Sequence, residues 1–390
     1  MNQNFSSQQL MRLCKQDEWE DYDLTKDGLL KLIDENFEKI ISGTFEFQIN
    51  KVGDYYLTED LPQKLILRKL NDNLKRLYKD EQANRRIIIR QVKTLLEENG
   101  PMWILKTDIE KFYESIDKEK IISKLKNDSM LSFHSLYLID KLFSNDKIEG
   151  ITGIPRGLNI SATLSEIYMR KFDRWVQRII GVYYYARFVD DIVIFSNDKS
   201  VIEDINKNIN FNLEKGLKKK EKKTAIYNGS DIKTSYPLEY LGYRFTTTTN
   251  GRNKSLSLSI AEKKVKKIKS RIIYSFLDYL KNADFDLLEK RIKFLTGNFS
   301  VKKSNDGNEL KAGLYYNYSH ITDLRVFDEL NIFYRKLLYS RNGSLGIKLN
   351  ANLSSHQRDI LSKYSFKHGF LKKVYISFTF EEMSNIKKCW

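Results

Sequence analysis

The stretch Gly181–Ser196, GVYYYARFVDDIVIFS, constrains the fold more than any other part of the 390-residue sequence. Two runs of β-branched and aromatic residues flank the pair Asp190-Asp191, the pattern of a hairpin with its turn at the acids. A second strand signal, Met102–Ile109 (MWILKTDI), runs into Asp108. The separation, 190 − 108 = 82 residues, means the acids meet only through the fold.

If the hairpin pairs beside that strand, three carboxylates crowd one edge of a sheet. Like charges this close repel, and their pKa values rise unless cations neutralise them. Mg²⁺ prefers carboxylate and phosphate oxygens. Two metals about 3.5–4 Å apart can activate an attacking 3′ hydroxyl and stabilise a leaving oxygen, which is nucleotidyl transfer. The plainer alternative makes Asp190-Asp191 turn chemistry and Asp108 a helix cap. The apolar runs on both sides weigh against it, because a buried hairpin gains little from adjacent acids unless something binds them.

Around these acids the chain alternates. Leu61–Leu96 reads as two helices, Lys118–Lys126 and Leu131–Phe143 as two more, and Gly150–Gly157 as a loop. Asn159–Ile180 is a long amphipathic helix, Val201–Glu214 another, and Leu238–Phe245 a strand pair around Gly242. From Ala261 to about Ser340 the pattern is mostly helical. Together these predict an α+β core with helical additions at both ends.

Composition narrows the function. Lys plus Arg number 67 against 51 acids, a formal charge of +16, with 23 Tyr and 22 Phe. Positive charge with abundant rings suits a polyanion whose bases can stack. Cys14 and Cys389 lie at opposite ends, which excludes a disulfide framework and a cysteine-based zinc site. No apolar run reaches the ~18 residues of a membrane span. The polar N-terminus predicts no targeting peptide, and a cytoplasmic protein without a membrane partner is the expectation. Neither a phosphate-cradling G-x-x-x-x-G-K-[ST] loop nor a strand-linked G-x-G-x-x-G is present.

Five ordered motifs over roughly residues 60 to 250 resemble the reverse transcriptase family. Asp108-Ile-Glu-Lys-Phe-Tyr113 is similar to the first palm motif, and Gly153-Ile-Pro-Arg-Gly157 with Leu158-Asn-Ile-Ser161 to the second. Arg187-Phe-Val-Asp-Asp191 is similar to the third, Gly216-Leu217 with Lys223-Thr224 to the fourth, and Tyr240-Leu-Gly-Tyr243 to the primer grip. The resemblance implies a right-hand polymerase with fingers, a ferredoxin-like palm and a helical thumb, plus a helical C-terminal extension. The implied division is an N-terminal extension over 1–45, fingers and palm over 46–250, thumb over 251–340 and C-terminal extension over 341–390.

It also implies roles. Asp108, Asp190 and Asp191 are the catalytic, metal-binding acids, with the Ile109 carbonyl facing a metal; two Mg²⁺ ions serve, with Mn²⁺ as a substitute. Tyr113 takes the steric-gate position and implies deoxynucleotides. Arg68, Lys69, Arg85, Arg156, Gly157 and Lys223 match nucleotide-binding positions, although Lys218, Lys219, Lys220 and Lys222 blur which lysine acts. A solvated face competes as a reading for Arg68 and Lys69. Phe188, Tyr240, Leu241 and Gly242 match nucleic-acid-contacting positions. Lys263, Lys264, Lys267 and Arg271 form the basic face of an implied thumb helix, with Val265, Ile268 and Ile272 as its apolar stripe. Tyr315, Tyr316, Tyr318 and His320 either stack on bases or pack a core. Two residues depart from the family pattern: Arg156 replaces the usual Gln, and Phe188 the usual Tyr.

Pro155–Glu166, Arg291–Asn298 and Gly313–Tyr318 resemble bacterial abortive-infection and defence-associated reverse transcriptases. The leading expectation is therefore an RNA-directed DNA polymerase acting in anti-phage defence with a non-coding RNA. Its partners are an RNA template, dNTPs, a DNA product, and a second operon-encoded protein or a further copy of itself. Template-independent or protein-primed synthesis at the same site is one alternative. A catalytically inactive RNA-binding scaffold is another; the intact acids argue against it, since buried charge without a ligand costs stability.

Overall fold

The structure, a computed structural model, describes residues 2–15, 17–79, 83–98, 100–229, 231–250, 253–303 and 309–390. Two compact units result, one from residues 1–88 and 100–229, the other from 89–99 and 230–390. Both mix helix and sheet, so the chain is α+β.

The first unit is built on a four-stranded antiparallel sheet. In spatial order its strands are Val182–Phe188, Asp191–Ser196, Trp103–Asp108 and Ala225–Asn228. The two inner strands are the most deeply buried. Ile192 to Ser196 are buried without interruption, as are Ile104, Leu105, Thr107 and Asp108, because an inner strand is covered on both faces. The edge strand Val182–Phe188 is only partly covered.

Helices Asn159–Gln177 and Lys199–Asn212 pack on this sheet. The second is started by Asp198, whose side chain accepts from the Ser200 N–H. Helix Leu61–Tyr78 has Pro62 in its first turn, where a missing N–H is harmless, and stops at Lys79 in the left-handed conformation. It packs against Asn159–Gln177 and against Lys26–Ser42, so the N-terminal segment is part of the same core.

The second unit holds a three-stranded antiparallel sheet, Leu238–Tyr240, Tyr243–Asn250 and Asn253–Ile260, followed by helices Glu262–Asn282 and Phe285–Thr296. From residue 261 to about 340 this unit is mostly helical, as expected, with one addition. An antiparallel pair, Asn298–Lys303 with Glu309–Gly313, interrupts the helices. The pairing brings Gly313, at φ +112, close against Asn298, so that a Cβ at Gly313 would lie 2.5 Å from the Asn298 Cα. Further helices, Arg325–Leu338 to Phe380–Lys387, complete the unit. Among the described residues, no helix is long and apolar enough to cross a membrane.

Candidate active site

Register delivers the acids. Asp108 ends its strand directly opposite Asp191, the first residue of the next. The hairpin turn sits one residue earlier than the sequence suggests, at Val189 and Asp190, because Asp191 already pairs with both Asp108 and Phe188. The Ile109 N–H donates to the Asp190 carbonyl at 3.1 Å and ties turn to strand end. One carboxylate oxygen from each of Asp108, Asp190 and Asp191 then falls within 4.8 Å of the others.

The electrostatics follow from crowding. Burial, and next the charge of Asp108, holds the Asp190 carboxyl above the usual carboxylate range. Burial, and next Asp190, pushes Asp191 up to about 6. Lys223 offsets part of the charge, its Nζ lying 2.5 Å from Asp108 Oδ2. Burial disfavours the ammonium, but the bond to Asp108 together with the charges of Asp108, Asp191 and Asp190 outweighs it, and the Lys223 pKa is raised. This identifies which member of the lysine run meets the acids. Lys219 instead donates to Asn206 at 2.8 Å.

A cluster of hard carboxylate oxygens that meet within 4.8 Å fits divalent cations of the Mg²⁺ or Mn²⁺ class. A backbone donor is available beside it. The bridge between Ile109 and Lys219 uses the Asp108 carbonyl, bonded by Lys220 N–H at 2.7 Å, and the Glu110 N–H, bonded to Lys218 at 2.9 Å. The Ile109 carbonyl is outside that pair of bonds.

A cavity of about 660 Å³ lies in the same unit, lined by Tyr55, Asn71, Lys75, Tyr113, Arg156 and Gly157 among others. Tyr113 and Arg156 form one wall. The Arg156 guanidinium pairs with Glu114 at 2.6 and 3.0 Å and lies 5.7 Å from the centre of the Tyr113 ring. Gly153 makes this approach possible, since a Cβ there would lie 2.2 Å from the Tyr113 carbonyl. Ile154 N–H bonds that carbonyl at 2.9 Å. Gly157, at φ +98, is similarly tight against Tyr56.

Other expected site residues lie elsewhere in their surroundings. Arg68 gives its guanidinium to Glu18, with both oxygens at 2.6 Å. Lys69 is buried, its Nζ 2.9 Å from the Asn2 carbonyl. The same helix presents Asn71 and Lys75 to the cavity, and sequence reasoning missed both; the i, i+3, i+7 spacing from Arg68 was the available signal. Arg85 opens the helix Arg85–Glu97 and is partly exposed. Phe188 is half-buried beside Asp191.

In the second unit, Leu241 (φ +46) and Gly242 (φ +83) form a two-residue hairpin turn between Tyr240 and Tyr243. Tyr240 is only 1% exposed, so the turn's backbone, and not that ring, meets the surface. Lys263, Lys264 and Lys267 are exposed on Glu262–Asn282, while Val265 and Ile272 are buried beneath. Arg271 lies over the Trp390 ring at 4.9 Å and is not part of that exposed face. Tyr318 is buried with its ring 5.7 Å from Tyr243, while Tyr315, half-buried, packs on Tyr316 and Phe370.

Comparison with known proteins agrees with the location of the acids. Residues 61–245 match the family described as reverse transcriptase (RNA-dependent DNA polymerase). Among solved structures, telomerase from Candida tropicalis in complex with a TWJ fragment of telomeric RNA is 11% identical, with a TM-score of 0.38 over 96% of this chain and 60% of that one. Telomerase from Candida albicans with such a fragment is 12% identical, with a TM-score of 0.36 over 76% and 53%. Apo telomerase from Candida tropicalis is 14% identical, with a TM-score of 0.35 over 47% and 38%. The chain thus spans 38 to 60% of these telomerases, and likeness at such scores fixes neither fold nor function. No curated protein matches the chain.

Proposed function

We propose that this chain, which contains a reverse transcriptase domain over residues 61–245, is an RNA-directed DNA polymerase. The observation that carries this reading is the meeting of Asp108, Asp190 and Asp191 within 4.8 Å. On this reading fingers and palm occupy 46–250, the thumb 251–340 and a C-terminal extension 341–390.

Two bound divalent cations would supply activation of the primer 3′ hydroxyl and stabilisation of the departing pyrophosphate. Asp108, Asp190 and Asp191 hold them, with the Ile109 carbonyl as a further donor. Lys223, already drawn to the acids, offers a proton and positive charge on the leaving-group side. Tyr113 forms the floor for the sugar and excludes a 2′ hydroxyl. Arg156, Gly157, Arg85 and Lys75 receive the triphosphate, the arginines as forked donors. Arg68 and Lys69 join them only on release from Glu18 and Asn2. Lys263, Lys264 and Lys267 track the phosphates of the template–product duplex. Phe188 and the Leu241–Gly242 turn contact the primer strand.

We further place the chain among bacterial defence-associated enzymes, working with a non-coding RNA and a partner protein or second copy. This rests on the Arg291–Asn298 and Gly313–Tyr318 motifs. The test is Mg²⁺-dependent incorporation of dNTPs on an RNA template by the purified chain. Incorporation lost in Asp190→Asn/Asp191→Asn supports the reading, and incorporation unchanged in that variant refutes it. Sequencing the nucleic acid that copurifies tests the defence assignment.

A further inference from the structure

The turn that carries Asp190 is strained. Val189 has φ +60, a left-handed conformation that a β-branched residue adopts only when its surroundings hold it there. The holder is Arg187, two residues earlier and 5% exposed. Its Nη1 donates to the Val189 carbonyl at 3.1 Å. Its other bonds go to two carboxylates of helix Asn159–Gln177: Glu166 at 2.6 and 3.0 Å, and Asp173 at 2.7 and 2.9 Å. Tyr185 adds a hydroxyl to Asp173 at 2.5 Å. A guanidinium has five N–H donors, and all five are used here.

We propose that Arg187 is a positioning residue for the metal-binding aspartates: clamped by Glu166 and Asp173, it pins the Val189 carbonyl and so fixes the strained turn that aims Asp190. The proposal rests on the metal reading given above. Stability alone does not call for this arrangement. A buried ionic triad contributes little over apolar packing of equal volume, and glycine or asparagine would make the turn without strain. What the triad adds is a single geometry at the residue before Asp190. The helix carrying Glu166 and Asp173 also begins at the cavity, at Asn159, so the clamp joins the cavity wall and the acids through one rigid element.

The test is Mn²⁺ binding by the full chain, followed as free Mn²⁺ by electron paramagnetic resonance, with cooperative thermal melting as the check on folding. Arg187→Lys keeps the charge, so a loss is not Coulombic, but three donors cannot serve five acceptors. We expect the Mn²⁺ Kd to rise about tenfold, as for loss of a residue that orients metal ligands. Adding Val189→Gly, which adopts φ +60 without strain, should return the Kd to within about threefold of the unaltered chain. A purely structural role would lower the melting temperature and leave the Kd of the folded protein unchanged. A folded Arg187→Lys chain with unchanged Kd overturns the proposal, as does a loss that Val189→Gly fails to restore. Should Arg187→Lys not fold, Glu166→Gln, which leaves the Asp173 pair, is measured instead: weaker binding supports the proposal and unchanged binding overturns it. An unaltered chain that binds no Mn²⁺ defeats the metal reading itself, whereas binding unaffected by these variants defeats only this inference.

Discussion

Asp108 and Asp191 face each other across adjacent antiparallel strands, each at the end of its strand nearest the hairpin turn. Opposed carboxylates destabilise a strand pair, because like charges directly across a ladder repel. Burial of Asp191, then the charge of Asp190, and that repulsion besides make Asp191 responsive to pH.

Asp191 has a folded-state pKa of about 6, above its ordinary 3.8, because of burial and then Asp190. The folded chain therefore holds a proton that the unfolded chain releases. Its contribution to stability falls as pH rises from about 4 to about 6 and stays low above that. In chelator, melting temperature compared between the unaltered chain and Asp191→Asn should show the variant gaining relative stability across that window. With Mn²⁺ present, affinity should increase through the same window as the proton leaves. A difference that is flat with pH would contradict the assigned crowding.

Glu114→Gln should weaken nucleotide capture. The Arg156–Glu114 pair is about two-fifths exposed, at 42 and 40%, so its loss is worth about 1 kcal/mol or less, roughly a fivefold rise in the KM for dNTP. Steady-state kinetics separate this from a fall in kcat, which would implicate the metals instead.

Gly153→Ala and Gly150→Ala form a matched pair. A methyl at 153 meets the Tyr113 carbonyl at 2.2 Å and must be borne at φ +77, whereas at 150 nothing lies within 4 Å. Thermal melting should show the first variant severely destabilised, by about 3 kcal/mol or more, and the second nearly neutral.

Lys263→Ala/Lys267→Ala should weaken template–primer affinity uniformly over sequence. If both contact phosphates, the slope of log K against log salt should become shallower by about 2. An unchanged slope would make this helix face a solvated surface.

The legible parts of this chain were those where pattern and chemistry coincide. The run Ile192–Phe195 announces an inner strand, and Asp108 with Asp190-Asp191 announces a site, because few other reasons exist for acids at the ends of buried strands. The partners of Arg68 and Lys69 were not legible, for a physical reason. The residues' own helix face is set by periodicity, but their partners, Glu18 and the Asn2 carbonyl, lie 50 and 67 residues away in sequence. Lys75 looked like any solvated lysine until Tyr55 and Asn71 closed the cavity around it. The strand pair of Asn298–Lys303 with Glu309–Gly313 was hidden because pairing relates two segments, and local periodicity does not record it. Arg187 sat within a recognised motif, yet its five bonds depend on Glu166 and Asp173, which only packing brings near.

On the proposed function, three acids distant in the chain hold divalent cations for phosphoryl chemistry. Crystals of the full chain grown with Mn²⁺ and a non-hydrolysable dNTP, measured at the manganese absorption edge, test it most directly. Anomalous peaks are expected within coordination distance of Asp108 and Asp190, with the triphosphate in the cavity bounded by Tyr113 and Arg156. Manganese absent from these carboxylates at saturating concentration, with the nucleotide bound elsewhere, would contradict it.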